Sequence, residues 1–337
     1  MDKSGASAYV YAKASGMLAN SFVGPRAVKL FQAKSLSELW TLVFDTQVPL
    51  VPEVMLAQQL ERKAEERFIA DFSMLLGCYS KPEPVSLALL QYYDFCNIKD
   101  IAHAIMDKQP VPENLVDIGK HSMLNLKAYP DIAKITEGSP LSWYKKVPER
   151  AEQKDVDHRL DAQYMHSLWA ACQKIPAYER EPVEKLIKEE LVLNNCLWAI
   201  RLKNYYGMTD EEIKAQLVPL HDVADENDPL AGEAVKLLKF AFDTPSDWEK
   251  WKYADFLNPA EPGVPWFIDP RYVQQKAKVA MNKRALKLFH QHPFTDCVLV
   301  TWFKIKQYEM DCIRTAAEGL RLLVNEQQVK DFAGVVE

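Results

Sequence analysis

An all-α fold, built from three similar helical-bundle domains, is what this sequence predicts, and three observations carry the prediction. The first is repetition. Glu83-Pro84-Val85 leads into Tyr93-Asp94-Phe95-Cys96-Asn97-Ile98-Lys99, and Glu181-Pro182-Val183 leads into Leu191-Val192-Leu193-Asn194-Asn195-Cys196-Leu197, at a constant offset of 98 residues. A looser third copy, Tyr308-Glu309-Met310-Asp311-Cys312-Ile313-Arg314, lies near the C-terminus. The second is periodicity, because the apolar residues of each copy recur at helical spacing: Phe95, Ile98, Ala102 and Ile105; Leu193, Cys196, Leu197 and Ile200; Met310, Ile313, Ala317 and Leu320. The third is the near absence of strand signals, with no Asn-Gly hairpin and no sustained alternation. Repeated helical units more often grip partners than enclose a reaction.

The elements follow in order. A helical stretch from about Tyr9 to Ala33 precedes Ser35-Leu36-Ser37-Glu38-Leu39, a helix start with a capping serine. An amphipathic stretch fills about 53–77. Pro84 and Pro182 are expected to mark the starts of the first two repeat helices, since proline suits a first helical turn. A capped helix is expected after each long one. Thr209-Asp210-Glu211-Glu212-Ile213 is a capping box, Asn325-Glu326-Gln327-Gln328-Val329 is its equivalent after the third copy, and Pro112-Glu113-Asn114-Leu115 takes that place after the first. Further amphipathic stretches occupy about 157–174, 232–242 and 271–290. Residues 131–154, with Gly138, Pro140 and Pro148, read as linker or loop. Residues 219–270 are acidic and proline-rich but carry Trp248, Trp251 and Trp266, so an ordered insertion with a short helix near 230–242 is expected. Its acidity is either a solvated surface or a partner face. The expected division is 1–125 for an N-terminal half-unit plus the first repeat, 126–221 for the second, and 222–337 for the insertion plus the third.

Composition narrows the function. A net charge of −6 over 337 residues gives no basic footprint for nucleic acid. The longest apolar run, around Cys297 to Phe303, falls far short of the roughly 20 residues of a membrane span. Met1-Asp2-Lys3-Ser4-Gly5 opens no apolar signal core, so a cytoplasmic protein is expected. The six cysteines occur singly, with no C-x-x-C pair, and read as small buried hydrophobes.

The search for chemistry returns little. No G-x-x-x-x-G-K-[ST] or G-x-G-x-x-G phosphate cradle, G-x-S-x-G elbow or H-E-x-x-H helix is present. The nearest approach to a metal set is Asp155, Asp157, His158 and Asp161 with His290 and His292. The acids, however, suit a helix start, and His292 precedes Pro293 in a turn. No metal and no cofactor are expected, and no catalytic residues. Asn97 and Asn195 are expected to hydrogen-bond neighbouring backbone where helices cross. At the position of His103 the other copies carry Arg201 and Glu318, so the polar face changes while the apolar stripe persists.

The run from Asn195 through Arg201-Leu202-Lys203 to Gly207-Met208-Thr209-Asp210-Glu211-Glu212-Ile213 resembles the C/d (AC39-like) subunit family of V-type and A-type rotary ATPases. Lys306-Gln307-Tyr308-Glu309 through Ile313-Arg314 is similar to that family's ending. Tyr9-Val10-Tyr11-Ala12-Lys13 leading to Ala33-Lys34-Ser35-Leu36-Ser37-Glu38-Leu39 is similar to its opening. The resemblance runs from about residue 8 to 332. Ser15 and Gly16 replace basic positions of the first helix, Cys312 stands where Asn is expected, and 219–270 is longer than usual. The resemblance implies a non-catalytic, funnel-shaped socket of three like helical domains. Such a socket receives the central-axle subunits, sits on the membrane rotor ring of proteolipid subunits, and carries torque between them. Membrane contact would be indirect, through the ring, at the cytoplasmic face.

Partner contacts are expected from Trp198, Arg201, Lys203, Lys306 and Arg314 on the repeat helices, with Asn97, Asn195 and Cys312 as structural repeat positions. Each of the charged four also reads as an ordinary solvated charge. An exposed Trp198 would be an interface anchor, and a buried one would be core. The alternative function is a free-standing helical-repeat adaptor that binds other proteins. A third reading is a metal-dependent hydrolase built on the Asp155–Asp161 and His290/His292 groups.

Overall fold

The computed structural model describes residues 3–335, so Met1, Asp2, Val336 and Glu337 lie outside it. It is helical throughout, with no strand among the described residues. The α-helices are α1 Lys3–Ala19, α2 Val28–Gln32, α3 Leu36–Val43, α4 Glu53–Leu76, α5 Pro84–Met106, α6 Ile132–Thr136, α7 Gln153–Cys172, α8 Ala177–Tyr206, α9 Asp210–Lys214, α10 Gly232–Leu237, α11 Pro270–Gln291, α12 Cys297–Arg321 and α13 Glu326–Ala333. The three repeat segments lie on α5, α8 and α12.

Local chemistry sets the helix ends. Pro84 occupies the first turn of α5, where no N–H is needed. The start expected at Pro182 is corrected: α8 begins at Ala177, and Pro182 lies inside it. The carbonyl that its missing N–H leaves free, that of Tyr178, belongs to a residue 83% exposed to water, so solvation offsets the lost bond. Thr209 and Glu212 form the reciprocal capping box of α9, Ser35 caps α3 and Asn325 caps α13. Pro112–Leu115 forms turns instead of a helix, and the Val116 N–H, which a helix begun at Pro112 would return to the Pro112 carbonyl, is taken by the Asn97 side chain. The three repeat helices each close on a left-handed residue: Lys108, Gly207 and Leu323. In each case the next N–H returns to a carbonyl of the last turn, Gln109 to Ala104, Met208 to Leu202 and Val324 to Gly319.

Packing gives each repeat helix at least one partner that is not its neighbour along the chain. α5 lies along α7, α8 along α11, and α12 along both α11 and α4. The α5–α7, α8–α11 and α4–α12 pairs cross the boundaries expected at residues 125 and 221. The N-terminal α4 thereby supplies the partner of the C-terminal α12 and closes the arrangement. On that seam Phe68 and Phe72 meet Trp302 and Phe303 at centroid distances of 4.8–6.0 Å. Such aromatic pairs contribute about 0.5–1.5 kcal/mol each beyond their buried area. Where α13 crosses α12, Gly319 is required by space, since a Cβ there would meet Val329 Cγ2 at 2.7 Å.

The apolar side chains gather in three clusters. A central core joins α1–α4, the first half of α5, the second half of α7, the first half of α8, and α12. The second half of α5 and the first half of α7 build one side cluster with residues from the 115–147 stretch. The second half of α8, α9, α10 and the first half of α11 build the other. The expected ordered insertion belongs to this last cluster. Trp248, Trp251 and Trp266 are buried there, and Trp248 packs edge-on to Trp251 at 5.2 Å. Asp228 anchors its entry: burial alone would raise the carboxyl, but N–H bonds from Leu220, His221, Leu230 and Ala231 hold it below the usual range.

Candidate partner interface

The beginnings of four helices meet at one end of the molecule. Lys3 of α1 donates to Glu83 Oε1 at 3.0 Å, ahead of α5, and to Asp296 Oδ2 at 3.2 Å, ahead of α12. The Asp296 N–H in turn donates to Glu179 Oε2, in the first turn of α8, at 3.2 Å. Carboxylates at three helix N-termini suit the helix dipoles. Their mutual closeness is offset by Lys3, whose charge they hold in place against the effect of burial. Asp296 is 5% exposed, and burial pushes its carboxyl up to about 6. Lys3 pulls the other way, while Glu83 and Glu179 add to the rise.

Beyond that meeting point the three repeat helices part. The far half of α5 enters one side cluster, that of α8 enters the other, and α12 stays with α4 and α13. Between them opens a cavity of about 560 Å³. Its wall is drawn from the same rungs of each repeat. Tyr92, Glu190 and Gln307 are equivalent positions on α5, α8 and α12, and so are Cys96, Asn194 and Asp311; all six line the cavity. Leu197 and Arg314 form part of the next rung. The three helices that carry the sequence repeat present three different surfaces to one space.

Electrostatically the wall is mixed. Its carboxylates are Glu65, Asp100, Glu190 and Asp311, and its cations are Lys278, Lys304 and Arg314. Lys278 pairs with Asp311 at 2.6 Å, Lys304 with Glu190 at 2.8 Å, and Arg314 with Glu61 at 3.2 Å. Burial raises the carboxyls of Glu61 and Glu65, and Arg314 counters it in both.

Of the residues expected to touch partners, Arg314 alone lines this cavity, where it is half exposed. Trp198 is half-buried and packs against the α8–α11 cluster. Arg201 donates to Gln274 Oε1 on α11 at 2.7 Å, and Lys203 pairs with Asp210 at the start of α9. Lys306 requires a correction. It is 6% exposed, ion-paired with Glu309 and bonded to Ser21 Oγ at 3.0 Å, so its charge serves the interior. Glu309 also accepts the Phe22 N–H at 2.6 Å, which ties the turn after α1 onto α12.

The repeat positions have distinct roles. Asn97 exchanges two bonds with the backbone of Val116, at 2.8 and 2.9 Å. Asn195 does the same with Val218, at 2.9 and 2.8 Å, and adds a bond to Leu230 O at 3.0 Å. Cys312 is buried and makes no such clamp.

Among the described residues no group of His, Cys, Asp and Glu is arranged to hold a metal ion. Asp161 pairs with Lys99 at 2.6 Å, Asp157 accepts from Gln153 at 2.8 Å, and His290 Nδ1 lies 3.4 Å from the Tyr11 hydroxyl. None of the described helices is long and apolar enough to cross a membrane. Residue-by-residue reading missed Glu61, Glu65, Tyr92, Glu190, Lys278 and Asp311. The signal for three of them was present, since the offsets that align the Asn positions also align Tyr92 with Glu190 and Asn194 with Asp311.

Two comparisons with known proteins bear on this geometry. The family model described as "ATP synthase (C/AC39) subunit" matches residues 10–332. A protein of Treponema pallidum (strain Nichols), described only as an uncharacterized protein, is 29% identical over 333 residues, covering 98% of this chain and 96% of that one.

Proposed function

The chain belongs to the ATP synthase (C/AC39) subunit family, and from that premise we propose that it is a non-catalytic rotor subunit of a V/A-type rotary ATPase. Family membership itself implies a subunit of such a complex. The finer reading is a socket in the central stalk. It takes the end of the central axle, rests on the membrane rotor ring, and passes torque between them at the cytoplasmic face.

One observation supports the socket most directly. Equivalent positions of three repeat helices face a single open cavity, while the beginnings of those helices are fastened together at the other end. Physically, torque transfer asks for stiffness and for grip. Stiffness follows from close-packed helices joined across the N- and C-terminal parts of the chain, because packed interiors deform little. Grip needs an inner wall that differs around its circumference, so that a partner seats in one register; the three unlike faces supply it.

The test is purification of the tagged full chain from native membranes, with its companions identified. Co-purification of axle and ring subunits, together with loss of coupling between ATP turnover and ion movement on depletion, is the expected result. A membrane complex that assembles and pumps normally without this chain would defeat the reading and leave the adaptor role in its place.

A further inference from the structure

The cationic donors of the cavity wall are engaged within the chain: Lys278 to Asp311, Lys304 to Glu190, and Arg314 to Glu61 and Asp311. Asp100 is served by the Asn114 amide at 2.8 Å. Among the buried groups that remain are acceptors without a donor. Among the described residues no donor reaches Asn282 Oδ1, on α11, or Glu190 Oε2, on α8, although both atoms are buried and both residues line the cavity. Glu65, on α4, joins them. It is a half-buried carboxylate, and the cation that acts on it, Arg314, is the one engaged by Glu61 and Asp311. Of the basic residues that line the adjoining groove with Glu65, Arg62 is taken by Glu66 at 3.0 Å, and Lys120 and His121 belong to the 119–121 turn and form no ion pair with Glu65.

Unpaired buried acceptors cost free energy until a donor arrives, and a half-buried carboxylate costs more than a neutral one. A partner that brings cationic donors to this wall would relieve that cost; one that brings carboxylates would add to it. We propose that the cavity selects a helical partner end carrying Lys or Arg, with Glu65 as the principal counter-charge and Glu190 and Asn282 as supporting acceptors. This inference rests on the socket reading and specifies its partner's chemistry. The three contacts come from α4, α8 and α11, three of the helices that line the cavity. Tyr92 and Tyr93 on α5 also line the cavity, and aromatic rings suit cations.

The experiment uses the full-length chain and the purified central-axle subunits of the same organism, titrated at low and at moderately high salt. Wild type is expected to bind with affinity that falls about tenfold or more as salt rises, because the pairing is ionic and part-buried. E65Q is expected to bind about tenfold more weakly than wild type at low salt, with a flattened salt response. E261Q, on an exposed loop remote from the cavity, is the control and should match wild type. The variant is expected to fold, since glutamine removes a charge that burial disfavours; a circular-dichroism melt confirms it. If E65Q and wild type bind alike, the cationic partner end is ruled out while the socket stands. A wild-type affinity indifferent to salt rules it out without any variant. If wild type does not bind the axle at all, the socket reading fails and this inference fails with it.

Discussion

Asn97 and Asn195 perform the same act 98 residues apart: each uses both ends of its amide to hold the N–H and the C=O of one downstream residue, Val116 in the first case and Val218 in the second. An amide side chain is suited to this because it donates and accepts at once. On α12 the equivalent position is Cys312, a weak donor and weak acceptor, and the fastening moves one turn earlier, to Glu309 on the Phe22 N–H. Asp94 lies at that same earlier position on α5, where it holds the Met123 N–H at 2.6 Å and the Ser122 hydroxyl at 2.8 Å.

Removing the clamp should therefore hurt most where it is most buried. Asn195→Ala leaves Val218 and Leu230 carbonyls and the Val218 N–H without their partner in the interior. A loss of about 2–4 kcal/mol is expected in urea unfolding. Asn97→Ala, whose bonds are only part-buried, should cost less. Equal and small effects at both sites would show that water replaces the amide.

The Lys306–Glu309 pair is buried, so breaking it from one side should cost more than deleting it. Lys306→Met strands the Glu309 carboxylate and is expected to destabilise by about 3–5 kcal/mol. The double variant K306M/E309Q keeps an acceptor for the Phe22 N–H without a charge and should regain most of that loss. A double variant no more stable than K306M would contradict the argument.

Asp296 makes the closed end sensitive to pH. Its carboxyl is raised from 3.8 to about 6 in the folded chain, chiefly by burial, so the folded state binds its proton more tightly than the unfolded one. Its contribution to stability is then fully present below about pH 4 and is lost as pH rises through about 6. Besides Lys3, the groups that act on it are Glu83 and Glu179, with Tyr79, Tyr178 and Cys297 as further titratable neighbours. Asp296→Asn should be more stable than wild type at pH 7.5, by on the order of 2 kcal/mol, and nearly equal to it at pH 4. Thermal melts across that range check the prediction, and a constant difference between the two proteins would refute it.

Leu323 ends α12 in a left-handed conformation, φ 55°, with its side chain 92% exposed. A leucine there pays for its Cβ and buries almost nothing in return. Leu323→Gly is expected to stabilise the chain by about 0.5–1 kcal/mol, with no change in helical content. A destabilised variant would mean that Leu323 has a contact worth more than the strain.

Much of this molecule is set by short-range pattern and was legible in the chain. Helical periodicity, the capping box at Thr209 and Glu212, the cap at Asn325 and the matching Asn97 and Asn195 all depend on residues a few positions apart, and sequence displays those directly. Burial and partnership do not. Lys306 reads as a surface charge until Ser21 and Glu309 close around it, and Ser21 lies 285 residues away. The same holds for α4, which pairs with α12 only because the chain's two ends come together. Periodicity tells which face of a helix is apolar but not what covers it. Thus the repeat determined three like helices. The tertiary structure decided that their equivalent rungs would enclose one cavity, which charges would be spent inside, and that Glu65 would be left facing the open space.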